Sequence, residues 1–235
     1  MTVAAVILFS RPEGALADAN GRAAARRIVE SAWAGGATPI VVVAFDPTGA
    51  LAAALAGSPA VLAEPAPLEA GPVAQIARGM DVAAAAVTET DAAFIWPGRL
   101  VWADAETITT LIEAHGARRE SILRPRYGEE DGWPTLVPMS ALPRLRAAAA
   151  SMMPDEILAA TVEAGVTTES IDLGDPGVTH DIATPFDQLP PYQGPAQPGA
   201  GTPPEWGAAA ADMPDDTPLE GPALAPFSQA DDEGD

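Results

Sequence analysis

"VAAVILFSRPEGALADANGRAAARRIVESAWAGGATPIVVVAFD", residues 3–46, carries the reading from which the fold follows. It opens on "VAAVILFS" (3–10), a continuous apolar run rich in β-branched residues, the pattern of a strand buried on both faces. Helical spacing follows: Ala24, Ile28, Ala32 and Trp33 can share one face, Asn20 stands where an N-cap belongs, and Gly35–Gly36 ends the run. "TPIVVVAFD" (38–46) is a second buried strand. Strand, crossover helix and strand at this spacing form a βαβ unit, which requires parallel pairing.

The alternation continues outward. "GALAAALAG" (49–57) reads as a short helix, "AVLAEP" as a short strand and "GPVAQIARGMDVAAAAVT" (71–88) as a helix. "AAFIWP" (92–97) is a strand leading into "ADAETITTLIEAHG" (103–116), a helix with Asp104 as N-cap and Gly116 as its stop. Beyond it, the sequence predicts a hairpin-like pair of strands around Gly128 to Gly132, then a helix from about Ser140. "MPDEILAATVEAG" gives a further helix and "VTTESIDLG" a strand. There is no internal repeat.

Composition bounds the chemistry. The chain has 235 residues, 48% of them hydrophobic, enough for one α/β domain with a substantial core. Aromatic residues make up only 5%, so that core is built mostly from Ala, Val, Leu and Ile. The absence of cysteine excludes disulfides, thiolate zinc sites and cysteine nucleophiles. All 12 basic residues are arginine and none lies beyond Arg146; without lysine there is neither Schiff-base chemistry nor a phosphate-loop ammonium. Residues 147–235 hold 17 acids and no base, and the formal net charge is −21. Such a field repels nucleic acid and anionic membrane surfaces, so neither is expected as a partner. "MTVAAVILF" lacks a positive n-region and is too short for a signal or membrane-spanning segment, so the expected location is cytoplasmic.

After Leu189 the character changes. Residues 190–235 contain ten prolines, nine acids and no arginine. That divides the chain into a folded domain, 1–189, and an acidic Pro/Ala/Gly-rich C-terminal tail, 190–235, read as disordered or partner-bound. Trp206, Leu219, Leu224 and Phe227 are apolar anchors in a polar background, spaced as a segment that lies on a groove of the same body or of a protein partner.

Several motifs carry a resemblance to a known family. "GDPGVTHDIATPFDQL" (174–189) resembles the closing motif D-D-P-G-x-x-x-D-I-D-T-P-E-D-L of the MobA-like NTP transferases, the molybdenum-cofactor guanylyl- and cytidylyltransferases and their relatives. "GRLVWADAETITTLI" is similar to that family's G-D-x-P-x-V-x-x-E-T-[IL], agreeing at Gly98, Glu106, Thr107 and Ile108. "GWPTLVP" (132–138) resembles G-H-P-V-L-F, and "NGRAAARRIVESAWAGG" resembles the D-G-R/K-P-L-L region. The resemblance covers roughly residues 3–189. It implies a three-layer α/β/α sandwich with a mostly parallel, Rossmann-like sheet of the nucleotide-diphospho-sugar transferase type, and ligands in such folds bind beyond the carboxyl ends of the strands.

In that family an acceptor phosphate attacks the α-phosphorus of a nucleoside triphosphate, CTP or GTP, with Mg²⁺ screening the charge. A glycine-rich loop and a lysine cradle the triphosphate, and the Asp of G-D-x-P holds the metal. This chain departs at each of those positions. The family's Ala-Ala-Gly after strand one is replaced by Phe9, Ser10 and Arg11, the loop is shorter, and the lysine is missing. Arg99 stands where the metal-binding Asp belongs, Ala183 replaces one acid of D-I-D, Trp133 replaces the His, and Gln75 replaces a Ser.

The candidate nucleotide-binding residues carried over by position are Phe9, Ser10, Arg11, Arg22, Gln75, Gly98 and Arg99. Arg124 and Arg126 are candidates for an anionic acceptor, their other reading being a solvated pair. Asp181 is the surviving candidate metal ligand, its other reading being a turn hydrogen bond. Arg99 reads as a surface arginine, as the partner of a local acid, or as a guanidinium that neutralises a phosphate without metal. Two functions remain open: a divergent nucleotidyltransferase using Mg²⁺ with CTP or GTP, and a non-catalytic relative acting as a binding or assembly protein, with molybdenum-enzyme maturation as the context the resemblance implies.

Overall fold

In the computed structural model, which describes residues 1–194, the first apolar run becomes the central strand β1 (Thr2–Leu8). Its side chains alternate between two cores, as the two-residue period of a strand requires. Val3, Ala5 and Ile7 enter one, and Ala4 and Val6 the other. The neighbouring β4 (Thr90–Pro97) does the same, with Ala92, Phe94 and Trp96 on the first side and Ala93 and Ile95 on the second. Both strands are therefore unbroken apolar runs because both faces are covered.

Six further strands complete the sheet: β2 (Ile40–Val43), β3 (Ala60–Ala63), β5 (Ile122–Tyr127), β6 (Glu130–Asp131), β7 (Thr135–Pro138) and β8 (Thr168–Asp172). The order is β3-β2-β1-β4-β7-β5-β6, with β8 paired to β5. Pairings β1–β2, β2–β3, β1–β4 and β5–β8 are parallel, and β4–β7, β5–β7 and β5–β6 are antiparallel. In register, Ile7 faces Trp96 and Leu8 faces Pro97, so β1 and β4 end side by side.

Helices cover both faces. The first core takes residues from α1 (Pro12–Leu16), α2 (Ala24–Ala34), α3 (Ala50–Ala54) and α5 (Ala105–Ala117). The second takes residues from α4 (Gly71–Ala86), α6 (Leu142–Arg146) and α7 (Pro154–Glu163). The expected three-layer sandwich with its mostly parallel sheet is what forms. Among the described residues no helix is long and apolar enough to cross a membrane.

The structure corrects several local expectations. Asn20 does not cap α2: the cap position is Ala23, and Asn20 adopts a left-handed backbone (φ 58°) in the turn closed by the Asp18–Ala23 bridge. Trp33 is 55% exposed. The buried stripe of α2 is filled by Ala24, Ala25, Ile28, Val29 and Ala32, and one further step of about 100° turns Trp33 towards solvent. Gly116 lies inside α5, which ends at Ala117. Asp104 does occupy the N-cap of α5, but its side chain makes no capping bond. The helix expected from about Ser140 begins as a single 3₁₀ turn, Met139–Ala141, before α6.

Residues 190–194 continue along the body: the Gln193 N–H donates to Gly174 O (2.8 Å), and the Tyr127 hydroxyl donates to Pro191 O (3.1 Å). Trp206, Leu219, Leu224 and Phe227 lie outside the described residues.

Candidate functional site

The carboxyl ends of β1 and β4 are tied together before either loop departs. The Gly98 N–H donates to Leu8 O (2.9 Å), and the Phe9 N–H donates to Val43 O (3.0 Å) on β2. Phe9 is buried, and its ring lies against Gly98 so closely that a Cβ there would overlap it. Gly98 is thus needed for close approach, and the head of the β1–β4 seam is filled by an aromatic ring. Ser10 and Arg11 are exposed and stand immediately before α1.

Arg99 follows on a rigid support. The Trp96 indole N–H donates to Leu100 O (2.7 Å), the Leu100 N–H donates to Pro97 O (3.0 Å), and Arg99 O accepts from the Ile182 N–H (2.8 Å). The backbone of Arg99 is therefore bonded to the closing segment, and the adjoining Leu100 is tied back to β4, while the Arg99 side chain is exposed. It borders a cleft of about 150 Å³ whose walls include Glu130, Asp131, Trp133, Asp155 and Thr179.

Two of those acids are already engaged. Arg126 Nε donates to Asp131 Oδ1 (2.8 Å), and an Arg124 guanidinium nitrogen donates to Asp155 Oδ1 (3.1 Å). Arg124 also stacks on Trp133, 5.7 Å from the ring centre. The two arginines point to one side of β5 because they are two residues apart. Both reach the cleft through their partners, and neither is itself part of its lining.

Asp181 makes a turn bond, its Oδ1 accepting from the Ala183 N–H (2.9 Å). Arg22 pairs with Glu30, and Arg26 Nε donates to the same carboxylate (2.7 Å). Gln75 clamps the segment before α4, accepting from the Ala66 N–H (2.9 Å) and donating to Ala66 O (2.8 Å). Of the candidates, Phe9 and Gly98 are thus in contact, Arg99 and Asp181 lie on adjoining segments, and Arg22 and Gln75 are held by local partners.

Sequence reasoning marked the closing segment by resemblance but did not assign its partners or roles. Asp175 is 5% exposed and accepts three hydrogen bonds, from the Asp104 N–H (3.0 Å), the Thr107 hydroxyl (2.7 Å) and the Gly177 N–H (2.8 Å). It reaches the start of α5 from 71 positions away in sequence, holding the cap residue's own N–H and the Thr107 hydroxyl. Burial pushes the Asp175 carboxyl above the ordinary range, against the three bonds that lower it. Gly177 lies so close to the Trp102 backbone that no side chain fits there. The Trp102 indole N–H is shared between Asp181 O (3.1 Å) and Thr184 O (3.0 Å). Arg27 completes the cluster, its guanidinium 4.8 Å from the Trp102 ring centre and 5.2 Å from that of Phe186, with Nε donating to Val101 O (3.2 Å). Burial, with repulsion from Arg22, lowers the Arg27 guanidinium from its ordinary value. The matching motif pointed to residues 174–189, but nothing in its spacing says which helix Asp175 is tied to.

A family model for the MobA-like NTP transferase domain matches residues 11–164. The chain belongs to this family. No curated protein matches it. Among solved structures, a nucleotidyl transferase from Methanothermobacter thermautotroptrophicus superposes with a TM-score of 0.60 at 16% identity, over 73% of this chain and 87% of that one. A Mycobacterium tuberculosis H37Rv protein solved as a manganese complex gives 0.56 at 17%, over 80% and 96%. The 2-C-methyl-D-erythritol 4-phosphate cytidylyltransferase from Thermus thermophilus gives 0.58 at 14%, over 80% and 96%. At these identities the likeness is one of fold.

The residues present do not fit the divalent cation that the family implies. A guanidinium stands at the head of β4, Asp181 offers one carboxylate already used in a turn, and Ala183 offers none. Among the described residues, no group of three or more acids and histidines is disposed to hold a metal ion. A hard cation needs several oxygen ligands and is repelled by a fixed positive charge.

Proposed function

We propose that this MobA-like chain does not carry out metal-dependent nucleotidyl transfer and serves instead as a binding or assembly protein on the transferase fold. The observation that carries this reading is the combination of Phe9 after β1, packed on Gly98, with Arg99 after β4. The ring fills the seam beside which the first loop leaves the sheet, and the guanidinium puts positive charge where the family holds its cation. Transfer between two polyanions needs charge neutralisation at the reacting phosphorus, and losing the cation and the ammonium together removes several orders of magnitude in rate.

The acidic residues 190–235, with Trp206, Leu219, Leu224 and Phe227, are the proposed partner-binding segment. A context in molybdenum-enzyme maturation rests on the family alone. The test is thermal stability of the full chain with CTP, GTP and ATP, each with and without Mg²⁺, alongside an assay for pyrophosphate release. The expected result is no Mg²⁺-dependent stabilisation and no release. Stabilisation by micromolar nucleotide with Mg²⁺, or turnover by the purified chain, overturns the reading and restores the divergent-enzyme alternative.

A further inference from the structure

We infer that the cleft beside Arg99 is a binding site for a single small oxyanion group, phosphate or carboxylate, held directly by the guanidinium without a metal ion. This rests on the reading that the family's cation has been lost from this position, and it names what replaces it.

The first support is electrostatic. The chain carries 33 acids against 12 arginines, yet among the described residues the Arg99 guanidinium makes no ion pair or hydrogen bond. Three acids are at hand in the same cleft: Asp131 is taken by Arg126, Asp155 by Arg124, and Glu130 makes no ion pair with Arg99. The charges of the two aspartates are balanced within the wall, so Arg99 keeps its donors for something that enters. A guanidinium presents a planar fork that matches two oxygens of a carboxylate or phosphate.

The second support is mechanical. Binding is favoured when the anchor is already fixed, and here the Arg99 backbone is pinned through Ile182 and the adjoining Leu100 through Trp96. Only the side chain has to be ordered.

The third is size and sign. A recess of about 150 Å³ accommodates a group of a few heavy atoms. Glu130, also on the wall, repels a polyanion and favours a ligand with a single charged group.

The test uses the full chain with EDTA present. Inorganic phosphate and acetate are titrated separately while the arginine Nε–Hε resonances are followed by NMR, with that of Arg99 assigned from its loss in Arg99→Gln. A saturable shift confined to Arg99 is expected, together with a loss of affinity of about tenfold or more in Arg99→Gln, followed on a neighbouring backbone amide. Arg99→Lys, which keeps the charge but not the fork, should fall between. Tighter phosphate identifies a phosphorylated ligand and tighter acetate a carboxylated one. Uniform shifts of all arginines, an unchanged titration in Arg99→Gln, or a requirement for Mg²⁺ overturns the inference. Nucleotide turnover would sink the proposed function while leaving this titration standing; a titration indifferent to Arg99 would sink only the oxyanion site.

Discussion

The Phe9 ring occupies the space in which a side chain on Gly98 would begin. This contact joins the end of β1 to the end of β4 and sets how the two loops leave the sheet. Gly98→Ala is expected to destabilise the chain by about 1–3 kcal/mol through overpacking, and Phe9→Ala by about 3 kcal/mol through the cavity it leaves. The double variant should be less destabilised than the sum, because the methyl enters the vacated volume. Urea denaturation of the four proteins measures this. Additive losses would mean the two residues do not share the space.

Asp175 gives a pH signature. Its folded carboxyl is held above the ordinary value of about 4, so the folded chain binds that proton more tightly than the unfolded one. The associated stability is complete below the unfolded value and is lost as pH rises through the folded one. Asp175→Asn should therefore remove part of the decline in stability seen as pH climbs from about 4 towards neutrality. Asp175→Ala, which abolishes all three acceptor bonds, should cost about 3 kcal/mol at neutral pH. Melting curves of the three proteins across that range decide it; parallel profiles for wild type and Asn would refute the assignment.

Arg27 holds the closing segment by stacking as well as by its bond to Val101. Arg27→Ala is expected to cost about 1–2 kcal/mol and to increase proteolysis near Phe186. Arg27→Lys should recover only part of that loss. Limited digestion followed by mass spectrometry locates the cut. Unchanged protection at 184–189 in the Ala variant would show that Trp102 alone fastens the segment.

Trp33 makes the opposite case. Being over half exposed on α2, it is expected to tolerate Trp33→Lys within about 0.5 kcal/mol. A large loss of stability on denaturation would mean that its indole covers core surface.

The strands and the layer order were legible because β1 and β4 are apolar on both faces and the crossover helix has a clear period. Trp33 was misplaced because helical spacing alone does not say where a buried stripe ends. Asn20 was misplaced because an Asn that favours caps also tolerates the left-handed turn it adopts here. At the site, Arg99 and Phe9 stood out as departures from a pattern, and the structure sets both at the same strand ends. What stayed hidden were two distant partnerships, Asp175 with Asp104 and Arg27 with Trp102, and a nearer one, the amide of Gln75 spent on Ala66. No local period encodes a bond across some seventy residues.

The tie from Asp175 to the start of α5 also orders events during synthesis. A nascent chain released up to the end of α7 already holds every strand but β8, yet the first turn of α5 still waits for its carboxylate, and the Arg99 loop for the amide of Ile182. The end of the sheet that bears the Arg99 loop is thus completed by residues beyond those the family model matches, and a ribosome stalled before Gly174 would display a scaffold whose rim has not yet set.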